Sequence, residues 1–182
     1  MLKWFIIPVL WVVLTSAAGA QVSSTADDFL IERHRVGKVT IDAPAQAVYE
    51  RFGSADVRLV DRRLEGMLSP ALVIAPNKTV RRDALIVDLV CDGKLVVWRI
   101  LVNDPAFKTA QGIGPGSRVG ELRKAYGPGR LISGEGNVGI WVESLSATFL
   151  VNALEVGSGR LGRGGTGSIA DTVRVKAVLV VK

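Results

Sequence analysis

The residue types that carry catalysis are scarce in this chain and lie far apart. Its 182 residues include one histidine, His34, and one cysteine, Cys91. A cysteine nucleophile needs a base beside it, and a metal site needs several neighbouring ligands. The motifs H-E-x-x-H, G-x-S-x-G and S-x-x-K do not occur. The sequence therefore predicts no catalytic residue, no metal site and no cofactor. A hydrolase built from carboxylates that converge in space stays open as a third alternative.

Binding chemistry is concentrated in the glycine-rich stretch Gly157–Ser168. Arg160 and Arg163 stand there among six glycines. Guanidinium groups on a loop are suited to binding an anion or to contacting a partner. A plain connection between two strands is the alternative interpretation. Arg-Gly segments also bind RNA, but the chain carries an export signal, described below, so no nucleic-acid partner is predicted.

Ser117 is the third candidate for binding. It follows Gly112–Gly116 and precedes a helix predicted over Arg118–Tyr126, where it can cap the N-terminus while Gly127 ends the helix. The backbone amides at Ser117–Val119 could hold an anion, because a helix N-terminus is positively polarised. The glycine spacing departs from G-x-G-x-x-G, so no dinucleotide site is predicted.

A second group of arginines accompanies the middle strands of the first half of the chain. We expect these arginines to form solvated salt bridges with the acidic residues that surround them in sequence. The basic group is Arg58, Arg62, Arg63, Arg81 and Arg82, and the acidic residues are Asp56, Asp61, Glu65 and Asp83.

The N-terminus has the pattern of a secretory signal peptide. Lys3 precedes an apolar run of about eleven residues, which is shorter than the roughly 20 needed to span a bilayer. Ala18-Gly19-Ala20 matches a cleavage site, so residues 1–20 are predicted to be removed and the mature chain to start at Gln21. The predicted location is secreted or periplasmic, with no transmembrane span in the mature chain. The formal net charge of +6, or +5 once Lys3 is removed, could favour anionic partners, and ordinary solubilising charge is the alternative interpretation.

The rest of the chain predicts an α+β fold made of two similar halves, 29–103 and 104–182, after a flexible lead-in at 21–28. Each half is expected to pack a short helix on antiparallel strands, and the two could form one continuous domain. An offset of 74 residues places Phe52-Gly53 on Tyr126-Gly127, which suggests a tandem repeat. Independent convergence on the same capping chemistry is the alternative.

The clearest local signal is a hairpin formed by Leu85–Val90 and Leu95–Val102 around Asp92-Gly93. The expected register pairs Leu85, Val87 and Leu89 with Ile100, Trp98 and Val96 on the core face. It leaves Asp88 and Arg99 on the solvent face. Cys91 is expected to be buried as a small apolar residue.

Two short motifs resemble known families. Residues 116–128, from Gly116-Ser117 to Gly127-Pro128, resemble the helix element of small exported modules, namely the SmpA-type outer-membrane-assembly lipoproteins and the β-lactamase inhibitor protein. The chain lacks their lipidation cysteine and stapling cysteines, and its Ser117-to-Gly127 interval is one residue longer. This resemblance implies a protein-binding module of the envelope.

Ile41-Asp42-Ala43-Pro44 instead resembles the opening of the START-like ligand-binding superfamily, although the chain ends in a strand-like segment where that fold has a long helix. We therefore predict an exported, non-enzymatic binding module for an envelope protein or an anionic polymer. A periplasmic carrier of an apolar ligand is the alternative. The oligomeric state is left open.

Overall fold

Two helices of eight residues each end at a glycine. Helix α1 (Ala45–Phe52) starts after Pro44 and ends at Gly53, whose amide donates to the Tyr49 carbonyl. Helix α2 (Val119–Tyr126) ends at Gly127 in the same way, with the amide donating to the Arg123 carbonyl. The computed structural model describes residues 27–64, 66–76, 80, 83–134, 137–156 and 169–182.

Four antiparallel strands follow each helix. After α1 come β4 (Val57–Leu64), β5 (Met67–Ile74), β6 (Leu85–Asp92) and β7 (Lys94–Val102). After α2 come β9 (Arg130–Gly134), β10 (Asn137–Val142), β11 (Ala147–Val151) and β12 (Val175–Val181). They form one sheet in the order β4-β5-β6-β7-β12-β11-β10-β9, so the last strands of the two halves meet at its centre.

The smaller elements lie beside this sheet. A second sheet has the order β3-β2-β1-β8, built from very short strands. Its members are β1 (Leu30–Glu32), β2 (Arg35–Val36), β3 (Val39–Thr40) and β8 (Lys108–Thr109). Helix α3 (Ala153–Val156) and 3₁₀ turns at Asp27–Phe29 and Glu143–Leu145 complete the described elements. The predicted α+β class is confirmed by the large antiparallel sheet with its few helices.

The predicted hairpin is confirmed, but its predicted register is wrong. Leu85 pairs with Val102 and Asp88 pairs directly with Arg99, and the pairing shifts between Asp88 and Leu89 because Trp98 is an extra residue in β7. This β-bulge turns Val97 into the core in place of Trp98, which is 40 % exposed.

One face of the large sheet carries the hydrophobic core. Val87, Ile100, Phe149 and Val178 of the central strands are fully buried there, together with Val48 of α1 and Leu122 of α2. The opposite face holds Ala71, Asp88, Thr148 and Ala177, which are also buried but lie outside that core cluster. The centre of the second face is therefore shielded from solvent.

Candidate functional site

The second face of the large sheet is concave. Strands β4 and β10 stand first and seventh in the sheet, so a flat sheet would separate them by about 29 Å at the usual strand spacing of ~4.8 Å. Arg62 of β4 and Asn137 of β10 nevertheless line one cavity of about 180 Å³. The sheet therefore rolls around this face.

A second cavity of about 300 Å³ adjoins the first. The two share four lining residues, Arg99, Asn137, Leu150 and Leu179, and together they form one depression that we call the sheet trough. Its volume lies at the lower end of the range of roughly 300–1,000 Å³ typical of small-molecule sites. The trough thus has the dimensions of a site for a small ligand.

A buried ion triad forms one end of the trough. Both carboxylate oxygens of Asp88 accept a guanidinium hydrogen bond, Oδ1 from Arg62 Nη1 and Oδ2 from Arg99 Nε, each at 2.6 Å. The side chain of Asp88 is 1 % exposed and that of Arg99 7 %, whereas Arg62 keeps 27 % of its side chain open. The ring of Trp98 lies over Arg99, with 4.7 Å between Cζ and the ring centre, a cation–π contact.

The other end of the trough is mainly apolar. Its wall is formed by Ile132 of β9, Leu150 of β11 and Leu179 of β12, with Gly139 of β10 on the floor. A side chain at Gly139 would collide with Thr148 and with the Phe149 carbonyl, because a Cβ there would lie within 2.8 Å of both. Glycine is therefore required for β10 and β11 to pack this closely.

Two β-bulges occupy matching places in the strands that line the trough. In β7 the extra residue is Trp98, and in β12 it is Lys176, where the pairing with β11 shifts between Leu150 and Val151. Bulges twist a strand and re-aim the side chain they carry. Lys176 lines the smaller cavity together with Arg62 and Asp88.

Two charged residues in the sequence indicate this site, but the local alternation of apolar and polar residues assigns them to the solvent. Asp88 and Arg99 each interrupt a run of apolar strand residues. A charge in such a run marks a strand buried on both faces with a paired charge inside, since a lone buried charge is very costly. The predicted solvent positions of Asp88 and Arg99 are wrong, and Arg62 pairs with Asp88 rather than with a neighbour in sequence.

The structure places Ser117 against the start of β12, where its carbonyl accepts from the Val175 amide, and Ser117 does not line the trough. The capping prediction is wrong by one residue, because Arg118 is the N-cap and the Ser117 hydroxyl accepts from the Gly114 amide. The amides at 117–119 donate to the Gly114 carbonyl, the Glu121 carboxylate and the Val173 carbonyl, respectively. These internal bonds occupy the donors that an anion would need.

The remaining predicted binding residues, Arg160 and Arg163, lie outside the described residues, as do Arg81 and Arg82. Cys91 is exposed beside the β6–β7 turn, so its predicted burial is wrong. The described residues contain no group of three or more His, Cys, Asp or Glu side chains that could hold a metal ion. Away from the trough, burial lowers the pKa of Lys108, an effect partly offset by Glu121, and the ammonium donates to the Pro115 carbonyl at 2.9 Å.

Comparisons with known proteins bear on the fold. No protein-family model matches the chain, and no curated protein matches it in sequence. A crystal structure of the uncharacterized protein YfeY from Escherichia coli is similar, with a TM-score of 0.57 at 18 % identity. The similarity covers 84 % of this chain and 99 % of that one. At this identity it shows a common fold alone. Among the described residues, no helix has the length and hydrophobicity needed to cross a bilayer.

Proposed function

We propose that this protein is a non-enzymatic binding protein that holds a small amphipathic molecule in the sheet trough. The observation that carries the proposal is the combination, on one concave face, of an apolar wall at Leu150 and Leu179 with the charged group at Asp88. Ligand sites are typically concave and mostly apolar, with a few well-placed polar groups that fix orientation.

The charged group supports binding rather than catalysis. Asp88 is the only acid among the described residues that line the trough, and both of its oxygens are held by guanidinium groups. General acid–base catalysis needs a group that can exchange a proton with the substrate. A carboxylate clamped between Arg62 and Arg99 is poorly suited to that role, and well suited to holding the two arginines in place.

A neutral fluorescent probe tests the proposal. N-phenyl-1-naphthylamine, which brightens in apolar surroundings, is titrated into the protein and into its Leu150→Gln and Leu179→Gln variants. We expect saturable binding that each variant weakens at least fivefold, because each replaces part of the apolar wall by an amide. The matched control is Leu154→Gln on α3, where the leucine is 90 % exposed and lies outside the trough. Equal affinity in all three variants, or no saturable binding, would exclude the trough as the site.

Export remains part of the proposal. It is supported by the Met1–Ala20 pattern, and a mature chain that begins at Gln21 in the intact mass of the native protein would establish it. A periplasmic or secreted protein could receive its ligand outside the cytoplasm. The envelope-protein contact at Arg160 and Arg163 stays a prediction.

We also propose that the two halves arose by duplication. The proposal is supported by helices that start 74 residues apart and by matching hydrogen bonds ahead of them. The loop before α1 forms an isolated bridge from Pro44 to Val96 of β7, and the loop before α2 forms one from Arg118 to Arg174, next to β12. In relatives of this chain the halves should align at the same offset, and offsets that vary independently would favour convergence.

A further inference from the structure

The trough is polarised along its length, and this polarity identifies the kind of ligand that fits. The described residues that line it include three cations and a single acid, namely Arg62, Arg99, Lys176 and Asp88. Arg62, Lys176 and Asp88 line only the smaller cavity, whereas the larger one, which Arg99 also lines, is formed mainly by apolar and small side chains.

Arg62 and Lys176 provide the cationic groups that a ligand can reach. Arg62 gives one N–H to Asp88, while its guanidinium carries five donors and stays 27 % exposed at the cavity. Lys176 is exposed on the β12 bulge and has no ion-pair partner among the described residues. Arg99 is different, because its nearly complete burial makes it part of the floor.

Asp88 fixes the geometry of this cationic group without cancelling its charge. One carboxylate neutralises one of the two guanidiniums that it binds, so Arg62 and Lys176 add positive charge beyond what the acid balances. An anionic oxygen between them would make charge-assisted hydrogen bonds, which are about twice as strong as neutral ones.

We propose that the trough binds a single-chain amphiphile with an anionic head, a carboxylate or a phosphate, placed between Arg62 and Lys176. Its apolar chain then runs past Leu150 and Leu179 toward Ile132. This inference rests on the proposed function, because it specifies the ligand of the same trough.

Displacement of bound N-phenyl-1-naphthylamine tests the head group at constant chain length. The competitors are dodecanoate, dodecyl phosphate and dodecanol, each used below the concentration at which it forms micelles. We expect at least one of the two anions to bind tenfold or more tightly than the alcohol. The tighter of the two anions tells whether the natural head resembles a fatty-acid carboxylate or a phospholipid phosphate, and either result supports the inference.

Variants that remove a positive charge test whether Arg62 and Lys176 cause the preference for an anionic head. Lys176→Gln and Arg62→Gln should each reduce the affinity for the anion, measured relative to that for dodecanol, at least threefold. Lys94→Gln is the matched control, because Lys94 is an exposed lysine at the β6–β7 turn, away from the trough. Lys176 is exposed, so its variant keeps the test valid even if Arg62→Gln impairs folding.

The outcomes separate the two proposals. If dodecanol binds as tightly as both anions, the anionic head is wrong and the apolar trough stands. If the preference survives unchanged in Lys176→Gln and Arg62→Gln, the placement of the head between these two residues is wrong. If no competitor displaces the probe, or if Leu150→Gln leaves probe binding unchanged, the proposed function itself fails.

Discussion

At the scale of single residues, Asp88 determines the character of the trough. A buried carboxylate held by two guanidiniums is weak evidence for stability, because desolvation offsets most of the attraction between the charges. Apolar residues in place of both Asp88 and Arg99 would complete the apolar runs of β6 and β7 and could fold as well. The triad is therefore better explained by what it holds in place, namely Arg62 at the cavity and Arg99 under Trp98.

Removing the charge of Asp88 should destabilise the protein, even though the intact triad contributes little to the free energy of unfolding. Asp88→Asn removes the carboxylate that accepts from Arg99 Nε, while the Arg99 side chain stays almost fully buried. We expect a loss of about 3 kcal/mol in the free energy of unfolding, the lower end for a broken buried pair, since Arg62 can still reach water. Urea unfolding measures it. Asp61→Asn, an exposed acid on β4, is the control, and equal losses in the two variants would show that Asp88 is not an essential counter-charge.

At the scale of elements, the two helix stops depend on glycine. Gly53 has φ 79° and ψ 155°, and Gly127 has φ 82° and ψ −172°, a region essentially limited to glycine. Gly53→Ala and Gly127→Ala should each cost about 1–3 kcal/mol through backbone strain alone, because a Cβ added at either position would meet no atom within 4 Å. Thermal unfolding measures it. Gly134→Ala is the control, because Gly134 also has open space around it but an ordinary φ, so this change should alter stability little. A Gly127→Ala variant as stable as Gly134→Ala would contradict the requirement for glycine at the helix stop.

The helices, their glycine stops and the β6–β7 hairpin could be predicted because local residues determine them. The register of that hairpin could not. Its bulge is fixed by distant partners, since Val97 accepts from the Asp42 amide at 2.7 Å and donates to the Ala43 carbonyl at 2.9 Å. An alternating pattern continues through the bulge position without interruption, so it assigns Trp98 to the core. The bulge does not explain the environment of Asp88 and Arg99, which lie on the face opposite the core as predicted. They are buried because the sheet rolls around that face.

The trough could not be predicted from the sequence for two reasons. Like the hairpin register, it depends on contacts between residues that are distant in sequence, and it also depends on the shape of the whole sheet. Arg62 stands out in sequence as one of a basic group, but its partner Asp88 lies two strands away in the sheet. The concavity arises from eight twisted strands and two bulges, and no segment of sequence encodes it alone. A trough that gathers residues from β4 to β10 is therefore visible only once the strands are ordered.

At the scale of the whole molecule, the two halves share one core and one sheet. Strands β7 and β12 pair at the centre, and Ile100, Val102, Val178 and Val180 on this seam are fully buried. Separating the halves would expose that apolar seam and two unpaired strand edges. The molecule should therefore unfold in one cooperative transition rather than half by half.

The tryptophans allow this to be tested within each half. In the chain from Gln21 on, Trp98 reports on β7 of the first half and Trp141 on β10 of the second. Each is left as the sole tryptophan by a Trp→Phe change at the other position, and fluorescence is followed through urea unfolding beside far-ultraviolet circular dichroism. In each variant the fluorescence midpoint should coincide with its own dichroism midpoint. A Trp141 signal that changes at lower urea than the dichroism would mean that the second half opens first, and the shared sheet would then be a contact between two separately stable units.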